Sequence, residues 1–359
     1  MNLLIMLAAL VLSLMVAQHR RPALNRVGLI GLVALGLLAP FLSNNLATLT
    51  GVYVAGTAAI GWNIIGGFTG YAAFGQSAFF GLGGYTLAVM IGRAQGTFGL
   101  PGWLGVLVAG VVPAVAAVLI GLVVLRLRGH YFAIATLGVG IAVRELVNNI
   151  DCVGLPGSAH PLFCLGAASG IILPPVRKDD LRATDLALYF AAFALIAGGT
   201  AALWLLNRSK FGYGLRAIRA NEEAASVMGI NITTFKIAAF TAGAALTGLA
   251  GGVQAIVNGS VLPDQTSIFD PYRSLEVIII CLIGGAGTVW GPVVGTFVLY
   301  AVKEALNGVF GGGDWRPIFF GAIVILLVLF LPRGILQFFG ARQALGWRVL
   351  WRNLVANRI

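Results

Sequence analysis

Five ionisable residues fall inside apolar stretches of this sequence: Arg144, Glu145, Glu276, Lys303 and Glu304. A charge at membrane depth is costly, and it commonly serves a pathway, a proton relay or a partner charge. Glu276 could therefore carry a proton, and so could the Lys303–Glu304 pair. The alternative for each is a neutralised structural pair. Arg273 and Glu276 are three residues apart, a spacing that a helix brings together. Arg144 and Glu145 lie in the outer half of their stretch, within reach of the membrane interface. No enzyme constellation accompanies these charges. His19, His130 and His160 are far apart, and no HExxH is present. Gly157-Ser158-Ala159-His160 is not a nucleophile elbow. Cys152, Cys164 and Cys281 make neither CxxC nor zinc spacing. There is no Gly-Lys dipeptide, hence no Walker A phosphate loop. The sequence implies no enzyme, no metal and no cofactor, and any ATP must be hydrolysed by another chain.

A second chemistry is mechanical. Residues 207–234 contain Asn221, a good helix N-cap, followed by Glu222 and Glu223 in the first turn, where carboxylates favour the helix dipole. Gly229 suits the position just past the helix end. The pattern predicts a short capped helix over about 222–228, with Ala224 and Ala225 leaving room for close contact. The alternative is a solvated loop helix.

Two glycine-rich apolar stretches add a third feature. Residues 66–85 hold seven glycines in twenty, and 284–295 hold five glycines and a proline in twelve. Interrupted segments in corresponding halves of a transporter point to broken helices lining a pathway. Asn63, Gln76 and Ser77 put polar groups at the same depth. Close packing through small residues, as at Gly287, Gly291 and Gly295, explains the glycines equally well.

The elements that must position these residues are membrane helices. Of 359 residues, 59% are hydrophobic and 10% charged, which excludes a large water-soluble enzyme. Apolar spans are predicted at 3–17, 27–42, 47–65, 74–92, 103–125, 131–150, 184–206, 235–257, 274–287, 290–307 and 316–331. The first lacks the preceding positive charge of a cleaved signal and is read as a retained helix. The net charge of +11 sits between the spans, which favours topology signals over nucleic-acid binding. With the N-terminus outside, 14 Lys and Arg fall in inner loops and 6 in outer ones. The expected fold is an all-α, polytopic transmembrane bundle of about 11 spans (10–11), N-out and C-in.

Residues 1–331 are read as the transmembrane domain, with 151–183 as the longest outer loop and 207–234 as the longest inner loop between spans. Cys152 and Cys164 share the outer loop, where a disulfide could close a ring for about 3 kcal/mol. The basic tail 332–359 places Trp347, Leu350, Trp351, Leu354 and Val355 on one helical face. It is either an amphipathic cytoplasmic helix on membrane lipid or a tail packed on the bundle.

At residues 207–234 the chain resembles the permease subunits of ABC importers. Their cytoplasmic coupling loop carries a Glu-Ala-Ala element followed by glycine, here Glu223-Ala224-Ala225 and Gly229. More specifically it is similar to the LivM-type permeases of branched-chain amino-acid importers. The resemblance rests on Gly75–Gly81, Arg128–Leu137, Ser209–Gly229, Gly284–Pro292 and Pro332-Arg333-Gly334, and it covers about 60 to 340. One departure is Val153–Ser158, where the family has a Thr-Gly-Gly element.

The resemblance implies half of a translocation pathway for branched-chain amino acids in the bacterial inner membrane. It also implies a second homologous permease, two cytoplasmic ATP-binding subunits and a periplasmic substrate-binding protein. Asn221, Glu222, Glu223, Ala224, Ala225 and Gly229 are then the ATPase-coupling residues. Asn63, Gln76, Ser77, Tyr131, Thr136 and Glu276 are the pathway candidates. Rival readings are a related urea or amide importer permease and a proton-coupled secondary transporter.

Overall fold

The computed structural model describes residues 8–9, 11, 22–42, 45–91, 102–153, 163–166, 169–173, 181–263, 268–310, 321–322, 325 and 334–336. In chain order the helices are α1 (Pro22–Leu42), α2 (Leu46–Trp62), α3 (Gln76–Ile91), α4 (Gly102–Val124), α5 (His130–Asn149), α6 (Leu181–Arg208), α7 (Lys210–Ala220), α8 (Glu222–Val227), α9 (Ile232–Asn258), α10 (Pro271–Gly284) and α11 (Gly291–Phe310). A π-helical turn, Asn63–Gly67, extends α2.

Local chemistry marks the starts. Asn45, Ser209, Asn221, Asn231 and Asp270 cap α2, α7, α8, α9 and α10, each accepting a backbone N–H with its side chain. Pro271 then occupies the first turn of α10, where its missing N–H costs nothing.

α9 is the central helix and packs on α4, α3 and α2; α6 covers α2, and α10 pairs with α11. Glycine permits these approaches. A Cβ on Gly243 of α9 would lie 2.5 Å from the carbonyl oxygen of Gly61 of α2. One on Gly295 of α11 would lie 1.9 Å from that of Ile280 of α10. Small-residue packing thus runs through the helices and reaches the breaks as well, where a Cβ on Gly67 would lie 2.5 Å from the Gly287 backbone nitrogen.

Five helical segments among the described residues are long and apolar enough to cross a membrane: Leu46–Gly67, Gly102–Val124, His130–Asn149, Arg182–Arg208 and Ile232–Asn258. Ile30–Leu42 and Gln76–Ile91 are shorter apolar helices. The reading of about 11 spans counts more segments than these five. One reason is that the glycine breaks shorten the helices beside them. α10 has 14 residues, or about 21 Å, against about 30 Å of hydrocarbon. Most of 3–17 and 316–331, and nearly all of the tail 332–359, lie outside the described residues.

The structure is not wholly helical. Within 151–183, read above as plain loop, β1 (Cys152–Val153) pairs antiparallel with β2 (Phe163–Cys164). β3 (Ile171–Ile172) pairs with β4 (Ser260–Val261) and joins this loop to the segment after α9. β-branched residues in β1, β3 and β4 suit these short ladders.

Candidate functional site

The segment between α6 and α9 is a built element. α7 was not anticipated, although Phe211, Leu215 and Ile218 recur at i, i+4 and i+7 and turn inward, Leu215 and Ile218 being buried. α8 is the expected capped helix. Asn221 Oδ1 accepts from the Ala224 N–H at 3.0 Å. At its other end the Gly229 N–H donates to the Ser226 carbonyl and the Ile230 N–H to that of Ala225, a full Schellman closure with Gly229 at φ +84°.

The two faces of α8 differ from the expectation that both alanines point at a partner. Ala225 is buried against the chain's own helices, whereas Ala224 and Glu223 are exposed. The outward face also carries two residues the sequence analysis missed, Val227 at 90% and Met228 at 82% exposure. Two large apolar side chains beside a helix end were the available signal.

Glu222 turns the other way. Its carboxylate accepts from the Lys236 ammonium at the start of α9 and, at 2.7 Å, from the Tyr71 hydroxyl. Lys236 also donates to the Tyr71 oxygen at 2.6 Å and stands 3.9 Å from that ring's centroid. Arg128, between α4 and α5, lies 3.9 Å from the same carboxylate. Burial pushes the Glu222 carboxyl upward. The hydrogen bonds from Lys236 and Tyr71 and the two nearby cations outweigh it and hold the group below the usual glutamate range. Glu222 is thus a clasp between α8, α9 and the Tyr71 loop.

Arg219, at the end of α7, reaches the glycine breaks themselves. Its guanidinium donates to the Gly67 carbonyl at 2.5 Å and to Ala286 at 3.5 Å. Asn63 joins the two breaks directly. Its amide nitrogen donates to the Thr288 carbonyl at 2.9 Å, and its oxygen accepts from the Gly287 N–H at 2.8 Å. Fully buried, it spends both ends of its amide on backbone.

The helices that leave the breaks line a narrow cavity. Gln76 and Phe80 of α3, Ala55 and Ala58 of α2, Thr247 of α9, and Arg273, Glu276 and Val277 of α10 surround it. Gln76 donates to the Thr247 hydroxyl at 3.0 Å. Glu276 accepts from Lys303 of α11 at 2.5 Å and has Arg273 at 3.8 Å, so two cations flank one carboxylate.

Of the pathway candidates, Gln76 and Glu276 therefore share one cavity, while Asn63 clamps the breaks beside it. The Ser77 N–H donates to Ser274 Oγ at 2.8 Å, tying α3 to α10. Thr136 is buried on α5, where its hydroxyl accepts from the Phe74 N–H at 3.0 Å. Tyr131 is exposed at the start of α5, away from this cavity's lining. Arg144 pairs with Glu145 on the same helix. Cys152 is disulfide-bonded, and Cys281 is a buried free thiol.

A family model described as the permease component of the branched-chain amino acid transport system matches residues 44–328. The high-affinity branched-chain amino acid transport system permease protein LivM of Salmonella typhimurium is 29% identical over 330 residues, covering 87% of this chain and 75% of that protein. The LivM protein of Escherichia coli K12 is 28% identical over the same shares. The xylose transport system permease protein XylH of Escherichia coli K12 is 30% identical over 156 residues, 42% of this chain and 38% of that protein. No solved structure matches the chain. A match over residues 44–328 takes in the clasp, both glycine breaks and the cavity between them, and by it the chain belongs to the LivM-type family of branched-chain amino acid permease components.

Proposed function

We propose that this chain forms one half of the translocation pathway of an ABC importer for aliphatic, branched-chain amino acids in the bacterial inner membrane. A second homologous permease forms the other half. Two cytoplasmic ATP-binding subunits drive it, and a periplasmic binding protein delivers cargo. The observation that carries this reading is α8: a short, doubly capped helix with Ala224, Val227 and Met228 exposed, and with Glu222 clasped to the membrane domain. A rigid element with an apolar outward face suits transmission of a push from an ATPase. Coverage supports the cargo, since the LivM proteins match over 87% of this chain and the xylose permease over 42%.

In this reading 1–331 is the membrane domain and 207–234 is cytoplasmic. The loop 151–183 is periplasmic and carries a Cys152–Cys164 bridge, consistent with the register that sets these two residues opposite each other. The tail 332–359 is cytoplasmic. ATP-driven movement of α8 acts through Glu222 and Arg219 on the Tyr71 loop and the glycine breaks. It thereby shifts α3 and α10, which carry Gln76 and Glu276. A secondary transporter using Glu276 as proton carrier makes the opposite prediction for energy supply.

The test is purification from native membranes, followed by uptake in proteoliposomes. ATP-binding chains that co-purify, and leucine uptake that needs ATP inside, are the expected results. Uptake that survives without ATP and collapses with the proton gradient would refute the reading.

A further inference from the structure

The junction of α6 and α7 gathers cations that have no acidic partner. Arg208 ends α6, Lys210 begins α7, and both are exposed. Neither forms an ion pair among the described residues. The sequence holds no acid between Asp185 and Glu222. Glu222 is clasped to Lys236, and Glu223 stands exposed on α8. The other inner segments of the topology read above, 18–26, 66–73, 126–130 and 332–359, contain no Asp or Glu and supply no counter-charge.

These cations stand at headgroup depth. The span Arg182–Arg208 has 27 residues, about 40 Å, the thickness of hydrocarbon and headgroups together. Of its apolar window 28% is buried, so most of that window faces lipid. Its last turn exposes Trp204 and Leu205, the latter at 62%. Tryptophan beside a span end is a common occupant of the membrane interface. The Arg208 guanidinium lies 3.9 Å from the centroid of the Trp204 ring. The cation is thus drawn back along α6, over a ring at the lipid boundary, with its stem laid on apolar surface.

The turn that holds them is fixed from within. Arg216 donates to Asn207 Oδ1 at 2.7 Å and to the Asn207 carbonyl at 2.9 Å, tying α7 back to the end of α6. The Ser209 hydroxyl donates to the Leu206 carbonyl at 2.8 Å. Leu215 and Ile218 are buried on the inward side of α7. Arg208, Lys210 and Tyr213 are left exposed around this fixed turn.

We propose that the α6–α7 junction binds an anionic phospholipid, with the headgroup phosphate at Arg208 and Lys210 and the acyl chains along Trp204 and Leu205. Charge complementarity selects this occupant. Unpaired cations beside an exposed tryptophan and leucine match a molecule that is anionic at one end and apolar at the other. A soluble anion would leave the apolar half bare, and the acid-free inner segments of this chain would be repelled. The proposal takes the side of the membrane from the importer reading, but not its cargo or its energy source.

The test places a photo-crosslinking phenylalanine analogue at Leu205 of the full chain. The chain is purified with its partners and reconstituted in vesicles of phosphatidylcholine with a minor share of phosphatidylglycerol. The expected result is phosphatidylglycerol adducts enriched about fivefold or more over their share of the bilayer. Arg208→Gln with Lys210→Gln should return the adducts to the bilayer ratio. Arg208→Lys with Lys210→Arg keeps both charges and should keep the enrichment; its loss there too would trace the effect to the fold and overturn the proposal. The same analogue at Trp103, an exposed aromatic at the start of α4, should report the bilayer ratio. Adducts at the bilayer ratio from Leu205 would overturn the proposal, as would enrichment that survives the double Gln variant or appears equally at Trp103. Protein adducts in place of lipid would also overturn it, by showing that a chain segment covers the junction. Adducts are read without uptake, so their failure leaves the importer reading standing, and ATP-independent uptake leaves the lipid site standing.

Discussion

Glu222 and Lys236 form an ion pair that ties α8 to the N-terminal end of α9, with the Lys236 side chain 3% exposed and that of Glu222 17%. Removing one member strands the other, and the deeper charge suffers more. Glu222→Ala leaves the Lys236 ammonium beside Tyr71 alone, and it is expected to cost about 2 kcal/mol. This is below the range for a fully buried pair, because Glu222 keeps some solvent. Lys236→Met fills the same apolar path and leaves Glu222 with Tyr71 and Arg128, so it should cost less. Thermal unfolding of the purified protein in detergent measures both. Equal losses would mean that Lys236 is not the buried partner.

The clasp has a pH dependence whose sign follows from the lowered Glu222 carboxyl. A group held below its unfolded value stabilises the fold above the ordinary glutamate pKa of about 4.3, and that stability is lost as pH falls through the folded value. The protein should therefore keep this contribution at neutral pH and lose it on acidification below about pH 4. Glu222→Gln should flatten that limb of the stability curve. An acid limb unchanged by the substitution would count against the clasp.

The capped helix α8, the two glycine breaks and the membrane character were legible because each has a local signature. Asn221 and Gly229 bracket one turn and a half of helix, and glycine density marks where helices stop. What was not legible depends on which side of a helix meets its own chain. Glu222 and Glu223 are neighbours in the first turn, yet one is clasped and the other exposed, and only the position of Lys236 and Tyr71 decides between them. Ala224 and Ala225 divide in the same way. Asn63 was legible as a polar group at membrane depth. Its partners at Gly287 and Thr288 lie more than two hundred residues away and left no pattern to read. The strand pair of β3 and β4 is non-local too, and joins segments that no local pattern connects.

Asn63 makes the breaks interdependent. Asn63→Leu keeps comparable bulk but leaves the Gly287 N–H and the Thr288 carbonyl without their partners in a buried place. Orphaned backbone groups of this kind cost about 2 kcal/mol. The expected outcome is a less stable protein with reduced transport, because the turn that ends α10 is no longer held to α2. Asn63→Gln should rescue little, since its longer stem displaces an amide that is fully buried. Melting temperature and uptake measured on the same preparations check this. Wild-type values for Asn63→Leu would show that the clamp carries no energy.

The outward face of α8 separates docking from folding. Val227 and Met228 touch little of their own chain, so Val227→Asp with Met228→Asp should leave insertion and thermal stability within about 0.5 kcal/mol. If this face seats on an ATPase, the same pair should abolish ATPase retention and uptake, since it puts two carboxylates into an apolar contact. Ala225→Trp makes the contrary control. It overfills a buried site and should lower stability by about 2 kcal/mol before any partner is considered. Gly229 tests the helix end by backbone strain alone, because a Cβ there meets open space but φ is +84°. Gly229→Asn should be tolerated, while Gly229→Val should cost about 1–2 kcal/mol and fray the Schellman closure. Co-purification of ATP-binding chains, read beside melting temperature for each variant, distinguishes the three effects. Full ATPase retention in the doubly acidic variant would remove this face of α8 from the coupling contact.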